Sequence, residues 1–142
     1  MAVRKVTVEH VRYVAHVLAM KTMGWSEPIP EFETRFPNVL ESCVMTPFQR
    51  YAKQDLYKGL SGKAGALFYF MIKNHPFQNG NKRIAVTTLL VFLDLNGKWV
   101  KADKEELYRF AKWVAASPAE VKDEVIRSVE GFVRRRLVGD NE

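Results

Sequence analysis

The sequence predicts an all-α fold: a helical bundle around a buried central helix, with one small flap or hairpin. Three observations predict it. Apolar residues recur at helical spacing, first at Val8, Val11, Val14, Ala15, Leu18 and Ala19. The stretch from Ile84 to Leu95 is apolar almost all round, as in a helix buried on most faces, and Asn96-Gly97 is a strong stop. Pro28, Pro30, Pro37 and Pro47 fall between the periodic stretches, where regular structure breaks.

Taken in order, Thr7 is the expected N-cap of a first helix running to about Met23, with Glu9 in its first turn and Gly24 at its end. A proline-rich break follows. Val39 to Met45 forms a short helix that Pro47 closes, and Pro47 to Tyr51 is either an irregular loop or a short hairpin. From about Gln54, the pattern Leu56, Leu60, Ala64, Leu67, Phe68 and Met71 gives a long helix reaching toward Asn74. Asp55 would sit at the positive end of its dipole. Gly59, Gly62 and Gly65 each cost roughly 1 kcal/mol against alanine in a helix interior. They imply close packing against a neighbouring helix or a break near Ser61. The central helix comes next. Two more are expected, from Asp103 to about Ala115 and from about Pro118 to Leu137, with Ser117 as N-cap and Pro118 at the first helical position of the second.

A chain of 142 residues fits one domain spanning 1–142. His10, Arg12 and His16 interrupt the apolar residues near the N-terminus, which argues against a secretory signal. The longest apolar stretch is too short to span a bilayer, so no membrane partner is expected. The single cysteine, Cys43, cannot build a disulfide framework; it fits a reducing cytoplasm and reads as a small buried hydrophobe. The formal charge of +6 invites an anionic partner. Part of that excess is Arg134, Arg135 and Arg136, which suit the negative end of a helix dipole. No helix-turn-helix signature or zinc ligand set is visible. A non-catalytic nucleic-acid-binding domain therefore ranks below a protein that handles nucleotide phosphates.

The run His75-Pro-Phe-Gln-Asn-Gly-Asn-Lys-Arg83 carries the chemistry. One helix arrives at Asn74 and another leaves from about Asn81, so backbone N–H groups at the second helix's start face whatever sits above them. Gly80 can take positive φ and bring the backbone close to a phosphate. Asn81, Lys82 and Arg83 add donors and two positive charges, the combination that stabilises a transferring phosphoryl group. His75 stands at the edge, where it could take a proton from an attacking hydroxyl. Each residue also has an ordinary structural use: a histidine C-cap, an Asn-Gly turn, solvated cations. Their concentration at the entrance of a buried helix is what favours a site.

His75-x-Phe77-x-Asn79-Gly80-Asn81-Lys82-Arg83 resembles the signature of the Fic/Doc family, and the lysine points to its Doc (death-on-curing) branch. Pro37-Asn-Val-Leu-Glu-Ser, Pro47-Phe-Gln and the apolar helix ending in Asn96-Gly97 extend the likeness over most of the chain. The resemblance implies a small helical toxin of a toxin–antitoxin pair. Such an enzyme transfers the γ-phosphate of ATP to a hydroxyl of elongation factor Tu and halts translation, whereas Fic relatives transfer AMP. It implies His75 as general base, with Gly80, Asn81, Lys82 and Arg83 holding phosphates. Thr46, Pro47, Phe48 and Gln49 would belong to a flap that pairs with an extended target segment. ATP and Mg²⁺ are the implied substrate and cofactor, and nucleic acid enters only through an antitoxin complex. Lys82 replaces the glycine of AMP-transferring relatives, and Val86 stands where they carry a second arginine. Asn79 takes the place of the usual acidic Mg²⁺ ligand. Metal binding is then weaker, or compensated elsewhere, or the member has reduced activity. No self-inhibitory motif of the kind some relatives carry is visible, which leaves restraint to a separate antitoxin.

Overall fold

The computed structural model describes residues 2–22 and 28–139, and the expected end of the first helix at Met23-Gly24 lies outside them. Among the described residues there are six helices. The first, α1, covers residues 8–22 as an α-turn Val8–His10, a π-turn Val11–Ala15 and an α-helix His16–Thr22. Thr7 caps it as expected. Its Oγ1 accepts from His10 N at 3.2 Å, and His10 Nδ1 accepts from Thr7 N at 2.9 Å, so histidine takes the part usually played by glutamate in a capping box. Val11, Ala15 and Ala19 are buried, four residues apart along one face.

Helix α2 (Pro37–Met45) begins two residues before the expected Val39, with proline in its first turn, where a missing N–H costs nothing. Thr46–Phe48 then turns as a 3₁₀ segment into a hairpin of β1 (Arg50–Tyr51) and β2 (Gln54–Asp55), paired antiparallel with Arg50 opposite Asp55. The long helix therefore does not start near Gln54. Asp55 belongs to the hairpin, where Lys63 Nζ donates to it at 2.9 Å and Arg50 Nε pairs with it at 3.2 Å. Helix α3 (Gly59–Lys73) starts on Gly59 at φ +69°, with no break at Ser61. Its residues from Gly62 to Ile72 are all buried. At Gly65 an added Cβ would lie 3.0 Å from Ile126 O and 3.1 Å from Glu130 N, so this glycine lets two helices approach closely, as its cost in the sequence implied.

The central helix α4 (Asn81–Leu95) keeps the expected limits and ends at Asn96, with Gly97 at φ +71°. Ile84, Ala85, Val86, Leu89, Phe92 and Leu93 are buried on it. Each large apolar side chain so buried contributes roughly 1.5–3 kcal/mol. Helix α5 (Lys104–Ala116) is N-capped by Asp103, whose carboxylate accepts from Glu106 N at 2.8 Å. Ser117 closes α5 instead of opening the next helix, because its Oγ donates to Val114 O at 2.6 Å. A 3₁₀ turn, Ala119–Val121, precedes α6 (Lys122–Arg136), which packs on α3. Phe110 of α5 stacks between Phe68 of α3 and Phe132 of α6, at 6.0 and 4.1 Å between centroids.

A second strand pair was not expected. β3 (Lys98–Val100) runs antiparallel to β4 (Leu137–Gly139), so Leu137 is strand rather than helix. Among the described residues no helix is long and apolar enough to cross a membrane.

Candidate active site

The loop between α3 and α4 is held at both ends. Asn74 closes α3 by donating its N–H to Phe70 O at 3.0 Å. The chain then reverses through His75, whose φ of +51° is one of three positive values at non-glycine residues among the described ones. Such a conformation costs of order 1–2 kcal/mol and persists only where its surroundings impose it. Pro76 O accepts from Phe36 N at 2.9 Å, and Phe77 is buried with its ring 5.8 Å from His16 and 5.9 Å from Phe32. Phe77 thus anchors the loop in the core. Gly80 caps α4 at φ +71°, and an added Cβ there would meet Pro28 O at 2.9 Å and Ile29 Cδ1 at 2.7 Å. Conformation and close approach both require glycine.

A cavity of about 230 Å³ opens over this loop. His75, Gln78, Asn79, Gly80, Asn81 and Lys82 line it, with Ile72 and Ala115 as apolar walls. His75 is exposed at its rim. The backbone N–H groups in the first turn of α4, together with the Lys82 ammonium, make the positive end of this cavity. A larger, mostly apolar groove of about 550 Å³ runs along Val14, Leu18, Leu90, Trp99 and Leu107, and none of the loop residues lines it. Size alone would not favour the smaller cavity. The histidine, amide and lysine side chains of the loop line the smaller cavity.

Not every expected residue faces that cavity in the expected way. The Asn81 side chain is buried and engaged: Oδ1 accepts from Phe77 N at 3.0 Å and Nδ2 donates to Phe77 O at 2.9 Å. The same Nδ2 lies 3.4 Å from His75 Nδ1. The amide therefore clamps the loop, and Asn81 offers the cavity its backbone. Arg83 does not line the cavity. Its guanidinium is buried toward α1 and donates from Nη2 to Ala19 O at 2.6 Å. Thr87, one turn on, donates to Ala15 O at 2.8 Å, so the two side chains join α4 to the carbonyls of α1.

The expected flap residues lead into the exposed hairpin, and two of them are packed inward. Pro47 is buried and Phe48 packs edge-on against Phe92 at 5.7 Å, while Thr46 and Gln49 lie on the turn leading into the hairpin. The exposed extended segment is 50–55, and Tyr51 lies open on it. Lys63, buried in α3, holds the hairpin's base through Asp55 and through Tyr57 O at 2.6 Å. These partners keep the Asp55 carboxyl below the ordinary carboxylate value, with the hydrogen bond from Lys63 as the largest cause.

Sequence reasoning did not single out Gln78, Ile72 or Ala115. Gln78 lay within the run already quoted, but Ala115 is far away in the chain and carries no local signal. It also missed Lys73, whose Nζ donates to Ala115 O at 3.2 Å and Ser117 O at 2.5 Å. That ammonium satisfies the carbonyls at the end of α5 and fixes one wall of the cavity. Of the basic triplet, Arg134 pairs with Glu130 at 2.7 Å, and Arg136 meets Glu106 at 2.8 Å while lying 3.9 Å from the Phe132 ring centroid. Two of these three cations thus have intramolecular partners, which weakens the case for a nucleic-acid face.

A family model described as Fic/DOC family matches residues 5–93, a span that includes the whole loop. The chain belongs to the Fic/DOC family. Toxin Doc of Mycolicibacterium smegmatis (strain ATCC 700084 / mc(2)155) is 34% identical over 73 residues, covering 51% of this chain and 56% of that protein. The chain thus spans little more than half the length of this curated relative. No solved structure matches it.

The resemblance implies Mg²⁺ at this site. A hard cation prefers carboxylate oxygens. The described residues of the cavity offer an imidazole, three amides and an ammonium, and no carboxylate. The Asn79 amide oxygen already accepts from Gly80 N at 2.8 Å. No cluster of three or more histidine, cysteine, aspartate or glutamate side chains suited to a metal occurs among the described residues. This donor set does not fit a protein-held Mg²⁺.

Proposed function

We propose that this chain is the toxin of a toxin–antitoxin pair and transfers the γ-phosphate of ATP to a hydroxyl of a protein of the elongation factor Tu class, blocking translation in the cytoplasm. The supporting observation is that His75, Lys82 and the N-terminus of α4 line one cavity of about 230 Å³. That volume suits a phosphate chain; it is below the roughly 300–1,000 Å³ of pockets that enclose whole small ligands. The target hydroxyl approaches the exposed rim, and the His75 imidazole takes its proton. A bond forms between the hydroxyl oxygen and the γ-phosphorus, the bond from that phosphorus to the bridging oxygen breaks, and ADP leaves. Lys82 and the backbone N–H groups of Asn81 and Lys82 meet the charge on the phosphoryl oxygens. The hairpin at 50–55 would receive the target as an added strand. The relative's name, Toxin Doc, supports the toxin reading and with it a cognate antitoxin.

AMP transfer is the competing reading, because it would use the same histidine. Lys82 speaks against it. So does Val86, which is buried in the core and offers no ligand to a phosphate. The test is incubation of candidate translation factors with ATP labelled at the γ or the α position. Label from the γ position, lost in His75→Ala, is expected; label from the α position would replace this reading with AMP transfer.

A further inference from the structure

The mismatch between the donor set and Mg²⁺ has a consequence for how a triphosphate is held. We infer that the cavity binds a nucleoside triphosphate with no protein ligand to a divalent cation, and that fixed positive charge does the work a metal would otherwise do. This inference rests on the nucleotide reading proposed above.

Three observations carry it. The first is composition: among the described residues, every polar side chain on the cavity is an amide, an imidazole or an ammonium. Among the described lining residues, a divalent ion entering there would meet a positive helix end and a lysine, and no carboxylate. The second is occupancy. Asn79 Oδ1 accepts from Gly80 N at 2.8 Å and Asn81 Oδ1 from Phe77 N at 3.0 Å. Using either oxygen as a metal ligand means drawing electron density from a bond that shapes the loop. The third is charge sign. With a carboxylate at position 79, the triphosphate would need a cation between itself and the protein; with an amide, that repulsion is absent. An amide at 79 and an ammonium at 82 therefore act together. They allow the metal-free tetra-anion to bind directly, and any Mg²⁺ present stays on the nucleotide and in water.

The test is calorimetric titration of the whole chain with ATP, once in EDTA and once in excess Mg²⁺, with folding checked by circular dichroism. Expected is an affinity in EDTA within about threefold of that in Mg²⁺. Mn²⁺ alone, followed by its electron paramagnetic resonance signal, should show no bound fraction. Asn79→Asp should weaken ATP binding in EDTA by about tenfold or more, and Mg²⁺ should recover it, since the substitution adds a charge beside the phosphates. An affinity of the natural chain that rises tenfold or more on adding Mg²⁺ would overturn the inference and leave the nucleotide reading standing. Binding of Mn²⁺ alone, abolished by Asn79→Ala, would overturn it in the same way. So would an Asn79→Asp chain that binds ATP like the natural one in both buffers. A folded chain that binds ATP in neither buffer would instead remove the nucleotide reading, and this inference with it.

Discussion

Asn81 offers the sharpest separation between a residue that touches a ligand and one that shapes the loop. Its side chain makes a paired contact with the backbone of Phe77, accepting at 3.0 Å and donating at 2.9 Å, and both residues are buried. Asn81→Ala removes both partners and leaves one N–H and one C=O of Phe77 unsatisfied. Each orphaned group costs about 1–3 kcal/mol. Some water enters beside the cavity, so we expect the lower part of the combined range, about 2–4 kcal/mol. Against a typical domain stability of about 5–15 kcal/mol, that is a large fraction. Urea denaturation followed by circular dichroism should show a midpoint lower by roughly 1–2 M at unchanged slope. Asn81→Asp should do no better: it keeps the acceptor for Phe77 N–H but turns a carboxylate oxygen toward Phe77 O. Gln78→Ala is the control, since Gln78 lies exposed on the same loop and should shift stability by no more than about 0.5 kcal/mol. Equal, small shifts for Asn81→Ala and Gln78→Ala would refute the clamp and return Asn81 to the role of a phosphate donor.

Arg83→Met should lower stability by about 1–3 kcal/mol, because Ala19 O loses its buried donor. ATP affinity should change by less than about threefold, whereas Lys82→Met should weaken it about tenfold or more; equal losses in a calorimetric comparison would put Arg83 back in the cavity. Cys43 is buried, its Sγ donates to Phe70 O at 3.3 Å, and desolvation pushes its thiol up to about 12. The thiolate is the reactive form, so a disulfide reagent at neutral pH should modify Cys43 only in denaturant; modification of the native chain would contradict its burial. The same shift fixes a sign. The folded state keeps its proton where the unfolded thiol has lost it, so this contribution to stability is full below the ordinary thiol value and declines as pH rises from there toward about 12.

Much of the fold was legible because the signals were local. Thr7 capped its helix, the apolar run to Leu95 formed the central helix, and Asn96-Gly97 ended it. The misplaced start of α3 has a clear cause. Leu56 continues the helical spacing of Leu60 and Ala64, but it lies in the segment where the hairpin returns and Leu56 N donates to Gln49 O at 3.1 Å. The hairpin itself was blurred because Ala52 and Lys53 adopt the positive φ values that Asn-Gly would advertise. Pairing of β3 with β4 joins distant parts of the chain, and no local pattern announces it. At the site, the loop was legible as a concentration of residue types. The sequence could not tell which side chains turn outward. Arg83 and Asn81 lie in the same short run as Lys82, yet helical rotation sends the arginine to α1 and the asparagine under the loop.

The pairing of Lys98–Val100 with Leu137–Gly139 also bears on how the molecule holds together. Helices α5 and α6 lie between the two strands, so the strands tie together both ends of a long excursion. Lys101 N donating to Arg136 O at 2.8 Å tightens the knot. Closing so long a loop costs chain entropy that the strand pair must offset. The small sheet is thus a latch: it fastens the end of α6 to the strand that follows α4.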